Sequence, residues 1–428
     1  MDASVSAKAT ASTFEADVRE IVAAKYVRTA AASDAVAGVQ PSLVVEPGSE
    51  LELAKVLKLA NAAGLAAIPR GGGTKLEWGN RPARADVILT TARLHGVIEH
   101  AWADLTVSAE AGCTIGKLQE TLAKHGQRLA LDVLWPERAT VGGVLSTNDS
   151  GALRLRFGSL RDLVIGVTLA LADGTVASSG GKVVKNVAGY DLPKLVTGAL
   201  GTLGVITRAI FRLHPLPRET RTISCVTGDA RQAQRLVFEI QNSKLAHSAL
   251  QVCCGTEMQP RVDILFEGTE AGLTAQVEQV KSMLGAGFNE ASRDVWNARQ
   301  EICSAGKKGE TEFAFAKFAT LPAQMAETIE MIARLSAVGL RWQVVAQATG
   351  IGWVRLEGEA PVIESVLREL RAGLERGGGS LVVAHRAAGM SAFDAWGNAG
   401  DALLLMSAVK RRFDPWGALN PGRFVGGI

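Results

Sequence analysis

Six consecutive residues, Arg70-Gly71-Gly72-Gly73-Thr74-Lys75, have the composition of a loop that wraps a phosphate. Glycine lets backbone N–H groups approach an anion closely and adopt positive φ. Loops leaving strand ends are where such groups converge on phosphates. The chain supplies its own control in a second run, Arg376-Gly377-Gly378-Gly379-Ser380. There Ile363, Val366, Leu367, Leu370 and Leu374 recur at helical spacing up to the glycines, which therefore end a helix. At Arg70 the preceding helical pattern has already stopped at Gly64, and the apolar run 65–69 intervenes, so the glycines begin where a strand ends. Three further segments, 135–151, 185–207 and 413–423, are rich in Gly, Asn and Thr where an apolar pattern breaks. Singly each reads as a surface turn; together, their order is informative. A dinucleotide-binding turn is excluded. Gly198, Gly201 and Gly204 are spaced G-x-x-G-x-x-G, not G-x-G-x-x-G, and Pro193 ahead of them is unsuited to a central strand.

The elements that must position these segments follow from periodicity. Ser49 is an N-cap with Glu52 three residues on, a capping box, followed by Leu53, Val56, Leu57, Ala60 and Ala63 at helical spacing. Strands are predicted over 65–69, 86–91 and 105–112, and a second capped helix from Thr114 to Gly126. The run 164–176 reads as a strand pair around a tight Asp173-Gly174 turn. Residues 14–27 read as a helix packed outside, and the first dozen residues as a disordered tail without the apolar stretch of a secretory signal. Pro215 and Pro217 mark the best boundary. Beyond them, strand-like runs alternate with helices over 322–339 and 361–379, an antiparallel sheet with helices on one face. The fold class is therefore α+β. The expected division is a tail and helix (1–29), a two-lobed cofactor domain (30–215), an α+β cap domain (220–395), and a C-terminal helix and coil (396–428) returning to the cofactor domain.

At 428 residues, two or three domains are expected. The net charge of +3 gives no electrostatic footprint for nucleic acid. No apolar run approaches the ~18 residues of a membrane span. Cys113, Cys225, Cys253, Cys254 and Cys303 are scattered, with no C-x-x-C. That pattern excludes a sequence-recognisable zinc or iron–sulfur site and argues for a reducing, cytoplasmic compartment. Cys253-Cys254 reads as a pair of small residues on a buried strand.

The order RGGGT, ATxGGxxxTNxxG, KNxxGYDLxKLxxGxxGTLGVIT and DPxGxLNPGR resembles the vanillyl-alcohol-oxidase-type FAD-binding family, in its D-lactate and glycolate dehydrogenase branch. The match runs from about 41 to 214 and resumes at the C-terminus. Within the branch it is most similar to the FAD-binding E subunits of glycolate oxidase complexes. The resemblance implies a two-lobed FAD domain with an antiparallel-sheet cap. It places the pyrophosphate on Pro69, Arg70, Gly71, Gly72, Gly73, Thr74 and Lys75. It places the ribityl and flavin against Pro136, Thr140, Gly142, Gly143, Ser146, Thr147 and Gly151. Gly201, Leu203, Gly204, Val205 and Ile206 would pack on the flavin and adenine side, with Asn420 reaching back to the ring. FAD is expected to be non-covalent, because Thr74 stands where some relatives carry a linking histidine. Lys185 and Arg423 are candidates for the reduced flavin's counter-charge.

Self-sufficient members of the branch carry an H-x-G-D-G-N metal motif, and this sequence has none, so no metal site is expected. His385 and Arg386 are the nearest candidates for a base and a carboxylate ligand, although an Arg at a strand end is more simply a solvent-exposed residue. The resemblance thus implies a subunit that receives electrons from a small 2-hydroxy acid. Its partners would be a catalytic, D-type FAD subunit and an iron–sulfur subunit leading toward quinone, with peripheral membrane association through the complex. The alternative is an autonomous, metal-independent FAD-dependent D-2-hydroxyacid dehydrogenase.

Overall fold

The computed structural model describes residues 3–182, 190–284, 287–304, 311–337, 339–390 and 393–428. The chain divides into two compact units: 1–149, 160–215 and 398–428 form the first, and 150–159 with 216–397 the second.

The first unit has two lobes, each with its own sheet. In the first lobe the strand order is Val27–Thr29, Leu43–Val45, Val87–Thr90, Ala67–Arg70. The outer pair is antiparallel and the other two pairings are parallel. The helix Glu50–Ala62 buries Leu53, Val56, Leu57 and Ala60, the stripe expected from the sequence. Ser49 Oγ accepts from the Glu52 N–H at 3.1 Å. The reciprocal bond closes one residue early, however: the Glu52 carboxylate accepts from the Gly48 N–H at 2.6 Å. The N-terminal helix spans Ala3–Val22, so it includes residues expected to form a disordered tail. Nothing in that stretch breaks a helix, since it has neither Gly nor Pro, and Phe14, Val18 and Val22 anchor its continuation in the lobe's core.

The second lobe is a five-stranded antiparallel sheet ordered Val97–Ala101, Thr106–Glu110, Val205–Arg212, Val164–Ala170, Val176–Gly180. Helices Ile115–Ala123 and Val141–Thr147 contribute Ile115, Leu118, Val141 and Val144 to its core. The segment around Pro193 is a helix, Leu192–Val196, with Asp191 accepting from the Lys194 N–H. Proline there occupies the first turn, where its missing N–H costs nothing.

The second unit holds an eight-stranded sheet, antiparallel throughout. Helices Ala230–Asn242, Glu270–Leu284, Met325–Ser336 and Ala360–Arg376 pack their apolar stripes into one core with it. Cys253 and Cys254 lie buried on the strand His247–Gly255. No helix among the described residues is long and apolar enough to cross a membrane.

Candidate functional site: a glycine-walled cleft in the first unit

The strand Ala67–Arg70 runs into the glycines, and a solvent-open cleft lies beside them. One wall is Pro69 to Leu76. A second is Thr140, Gly142, Gly143, Ser146 and Thr147. Leu200, Gly201, Gly204, Val205 and Ile206 form a third, with Thr91, Asn420 and Arg423 completing the lining.

Two of the three glycines are required by packing. A Cβ on Gly71 would overlap Thr140 Oγ1, and one on Gly72 would overlap the carbonyl oxygen of Arg138. The loop therefore lies directly against the residues preceding the second wall. Gly73 has room for a side chain but holds φ +71°, the left-handed region glycine enters at no steric cost. The backbone N–H groups of Gly71, Gly72, Gly73 and Thr74 donate to no other protein group among the described residues. Four consecutive uncommitted donors around a turn make an anion-binding concavity.

The second wall contributes differently. Thr140 Oγ1 accepts from the Gly143 N–H at 3.3 Å. The N–H groups of Val141 and Gly142 donate to the carbonyls of Cys113 (2.9 Å) and Ala111 (2.8 Å). That helix start is already satisfied, so Gly142 and Gly143 offer smooth wall surface and the donors come from the glycine loop. Thr147 Oγ1 likewise donates to Gly143 O at 2.8 Å within its own helix.

The cations around the cleft are mostly engaged. Arg70 donates to Asp34 at 2.6 Å, and Arg28 grips the same carboxylate at 2.6 and 2.9 Å. The bonds from Arg28, and secondarily those from Arg70 and the Ala31 N–H, hold Asp34 well below the usual carboxylate range against the opposing effect of its burial. Lys75 Nζ, buried, lies 3.1 Å from buried Asp149, with the rings of Trp78 and Trp135 at 5.6 and 5.5 Å. The pair ties the glycine loop to the segment leaving the second wall. Arg423 donates to the carbonyls of Leu76 (2.5 Å) and Trp78 (2.6 Å), which makes it a clamp on the loop's far side.

The C-terminal segment reaches the cleft as a strand-like bridge. Ala67 N–H donates to Ala418 O, and Asn420 N–H to Ala67 O. Asp414 fixes this turn by accepting from the N–H groups of Ala418 and Leu419. Lys410 Nζ donates to Asp414 (2.6 Å), Thr202 O (2.7 Å) and Leu419 O (2.9 Å). Asn420 Nδ2 donates to Leu200 O, while its buried Oδ1 has no hydrogen-bond partner among the described residues.

Most residues expected at the site line this one cleft. Pro136, Leu203, Gly151, His385 and Arg386 do not. Pro136 uses its carbonyl to hold the Gly116 N–H. Leu203 is buried in its turn. Gly151 belongs to the second unit, as do His385 and Arg386. His385 packs beside Phe313 (4.5 Å) and Phe315 (5.5 Å), and burial, with Arg355 and Arg386 nearby, pushes its pKa down to about 4. Arg386 is half-buried and donates to Phe393 O. Lys185 lies outside the described residues. Leu76, Thr91 and Leu200 line the cleft without having been anticipated; Leu200 carried a signal only in standing beside Gly201.

A donor-bearing glycine turn at a strand end, between a mixed sheet and an antiparallel one, defines a nucleotide-cofactor cleft of the flavoprotein kind. Residues 41–180 match the family model described as FAD binding domain. The chain therefore carries an FAD-binding domain, and FAD is its cofactor. It is 28% identical over 267 residues to glycolate oxidase subunit GlcD of Bacillus subtilis, covering 62% of this chain and 56% of that one. It is 33% identical over 203 residues to D-lactate dehydrogenase of Archaeoglobus fulgidus, covering 47% and 45%. The chain thus spans about half the length of the curated relatives it matches. In fold it is similar to p-cresol methylhydroxylase with substrate bound, at TM-score 0.75 and 16% identity over 97% of this chain and 96% of that one. The 4-ethylphenol oxidase of Gulosibacter chungangensis is as similar, at 0.74 and 16% over 97% of each. These neighbours show the vanillyl-alcohol-oxidase-type fold, with its two-lobed FAD domain and antiparallel-sheet second domain.

Proposed function

We propose that this chain is an FAD-binding oxidoreductase component acting on a small 2-hydroxy acid such as glycolate or D-lactate. In this reading it works as a subunit of the E type, beside a catalytic FAD subunit of the D type and an iron–sulfur subunit. The observation that carries the cofactor reading is the run of four uncommitted N–H donors at Gly71–Thr74, set in the segment that matches the FAD-binding model. A pyrophosphate needs oriented donors more than side-chain charge, and Arg70's charge is already taken by Asp34. Gly142 packs against Ala111, and Gly201 against Asn420 and Pro69, so a side chain at either position would displace a wall of the cleft. Asn420 Oδ1, buried and without a hydrogen-bond partner among the described residues, is an acceptor available to a ring N–H. Bound FAD would supply the electron acceptor; this chain's residues hold and shield it.

The substrate class rests on the names of the sequence relatives, and the subunit role on the missing H-x-G-D-G-N motif. His385 is neutral at physiological pH, but it lies in an aromatic stack in the second unit rather than on the cleft lining. That favours a subunit over an autonomous dehydrogenase.

The test is the visible spectrum of the purified chain, before and after anaerobic glycolate or D-lactate. A bound flavin that stays oxidised until the D-type partner is added supports the subunit reading. Bleaching by the acid alone would establish the autonomous enzyme. A colourless chain that cannot be loaded with FAD would overturn both.

A further inference from the structure

The helix Ala402–Phe413 turns half-buried Leu403 and Phe413 inward, yet it also buries a charge and leaves two leucines on its outward face. Its inward face carries Lys410, buried and held by Thr202 O, Leu419 O and Asp414. Its outward face carries leucines: Leu404 is 81% exposed and Leu405 69%. Ala408, one turn on from Leu404, is exposed as well and leaves the leucines standing proud of the surface. Surface helices ordinarily turn large apolar residues inward and charges outward. On the same outward face, at seven and eight residues from Leu404, stand Arg411 and Arg412, both exposed and without a salt bridge among the described residues. Trp416, just past the helix, is 81% exposed.

We propose that this helix is a docking face for an anionic phospholipid surface. Leu404 and Leu405 would enter the boundary between headgroups and acyl chains, and Arg411 and Arg412 would pair with lipid phosphates. Apolar side chains, Trp and Arg or Lys on one exposed face are what an in-plane interfacial helix presents, and Trp favours the headgroup level. The charge of this face fits a lipid surface: it carries two exposed arginines against one exposed carboxylate, Asp401, at the opposite end of the helix. An anionic leaflet attracts the same cations. The proposal is independent of the substrate reading.

The experiment is sedimentation of the FAD-loaded full chain with phosphatidylcholine vesicles and with vesicles containing added phosphatidylglycerol. The expected result is pelleting with the anionic vesicles only, weakened at least about tenfold by high salt, because the cationic contribution is screened within a Debye length. Leu404→Ser/Leu405→Ser and Arg411→Gln/Arg412→Gln should each abolish pelleting while leaving the flavin spectrum unchanged, since neither touches the cleft. No pelleting of the unaltered chain with anionic vesicles would overturn the proposal. So would pelleting that both double variants retain. A mass increase in light scattering that the leucine variant loses, without vesicle binding, would assign the face to a second copy and overturn the lipid reading.

Discussion

Gly72→Ala adds one methyl group to a chain of 428 residues, yet it should weaken FAD binding or apo stability measurably. The added Cβ falls on the carbonyl oxygen of Arg138, which is backbone and cannot rotate away. The glycine loop and the residues before Thr140 must then separate. Overpacking of this kind costs about 1–3 kcal/mol. If the loop relaxes in the apo protein, the cost returns when FAD forces the cleft back into shape, and Kd rises about 5- to 150-fold. If the loop does not relax, the same cost appears as a lower apo stability. The two readouts together must account for it. Gly73→Ala is the control, because its Cβ would meet Leu76 Cδ1 at 3.8 Å and Arg70 Cδ at 4.0 Å, both ordinary contacts, and its penalty comes from φ alone, about 1 kcal/mol. Gly72→Asp adds a carboxylate beside the four N–H donors, and the difference between it and the near-isosteric Gly72→Asn isolates the electrostatic part. The assays are FAD fluorescence titration of the apo protein and urea unfolding without FAD. A Gly72→Ala variant with both Kd and apo stability at the native values would refute the packing argument. A Gly72→Asp variant no worse than Gly72→Asn would refute the anion site.

Lys75→Met should cost about 3–5 kcal/mol by stranding the buried Asp149 carboxylate, and Lys75→Met/Asp149→Asn should recover a large part; additive losses in urea unfolding would show that the pair is uncoupled. Lys410→Met should destabilise the chain by a similar ~3 kcal/mol and also raise the FAD Kd, because Asp414 and the Asn420 turn depend on it; unchanged FAD affinity would detach that turn from the site. His385 has its folded pKa near 4, below its unfolded value of 6.5. Its contribution is therefore complete above pH 6.5 and is lost as pH falls toward 4, about 3 kcal/mol at about 1.4 per unit. Unfolding at pH 7.5 and 4.5 should show that loss, and His385→Phe should shrink it. Asp34 adds a loss of the same sign lower down, as pH falls below 3.8.

What was legible was local. A 3.6-residue stripe and a terminal glycine are contained in about fifteen residues, and the helices at Glu50–Ala62 and Ala360–Arg376 follow from them, the first with Ser49 as its cap. The two glycine runs were separable for the same reason: one follows a helix, the other a strand. What was not legible depends on partners distant in sequence. Nothing near Arg70 shows that Asp34 takes up its charge, or that Gly72 is a glycine because Arg138 lies against it. Asp414 reads as part of a Pro/Gly coil, and its role follows only when Lys410, one helical turn back, is seen to be buried. Pro193 argued correctly against a strand but was equally compatible with the first turn of a helix.

Backbone strain gathers at the cleft in a way no local pattern reveals. Among the described residues, seven other than glycine have positive φ, and four of them, Trp135, Asn148, Leu200 and Asn420, lie in the segments that build or border this site. Asn tolerates that conformation, whereas for Leu and Trp it costs about 1–2 kcal/mol. Such a cost persists only where the surroundings over-determine the backbone, and here they do. Leu200 N–H is held by Ser146 O, and its carbonyl accepts from Asn420 Nδ2; Trp135 O accepts from the N–H groups of both Arg138 and Ala139. The Leu200–Asn420 contact joins segments 220 residues apart in sequence. The wall facing the glycine loop is thus held in shape by contacts between residues distant in sequence, which no local pattern contains.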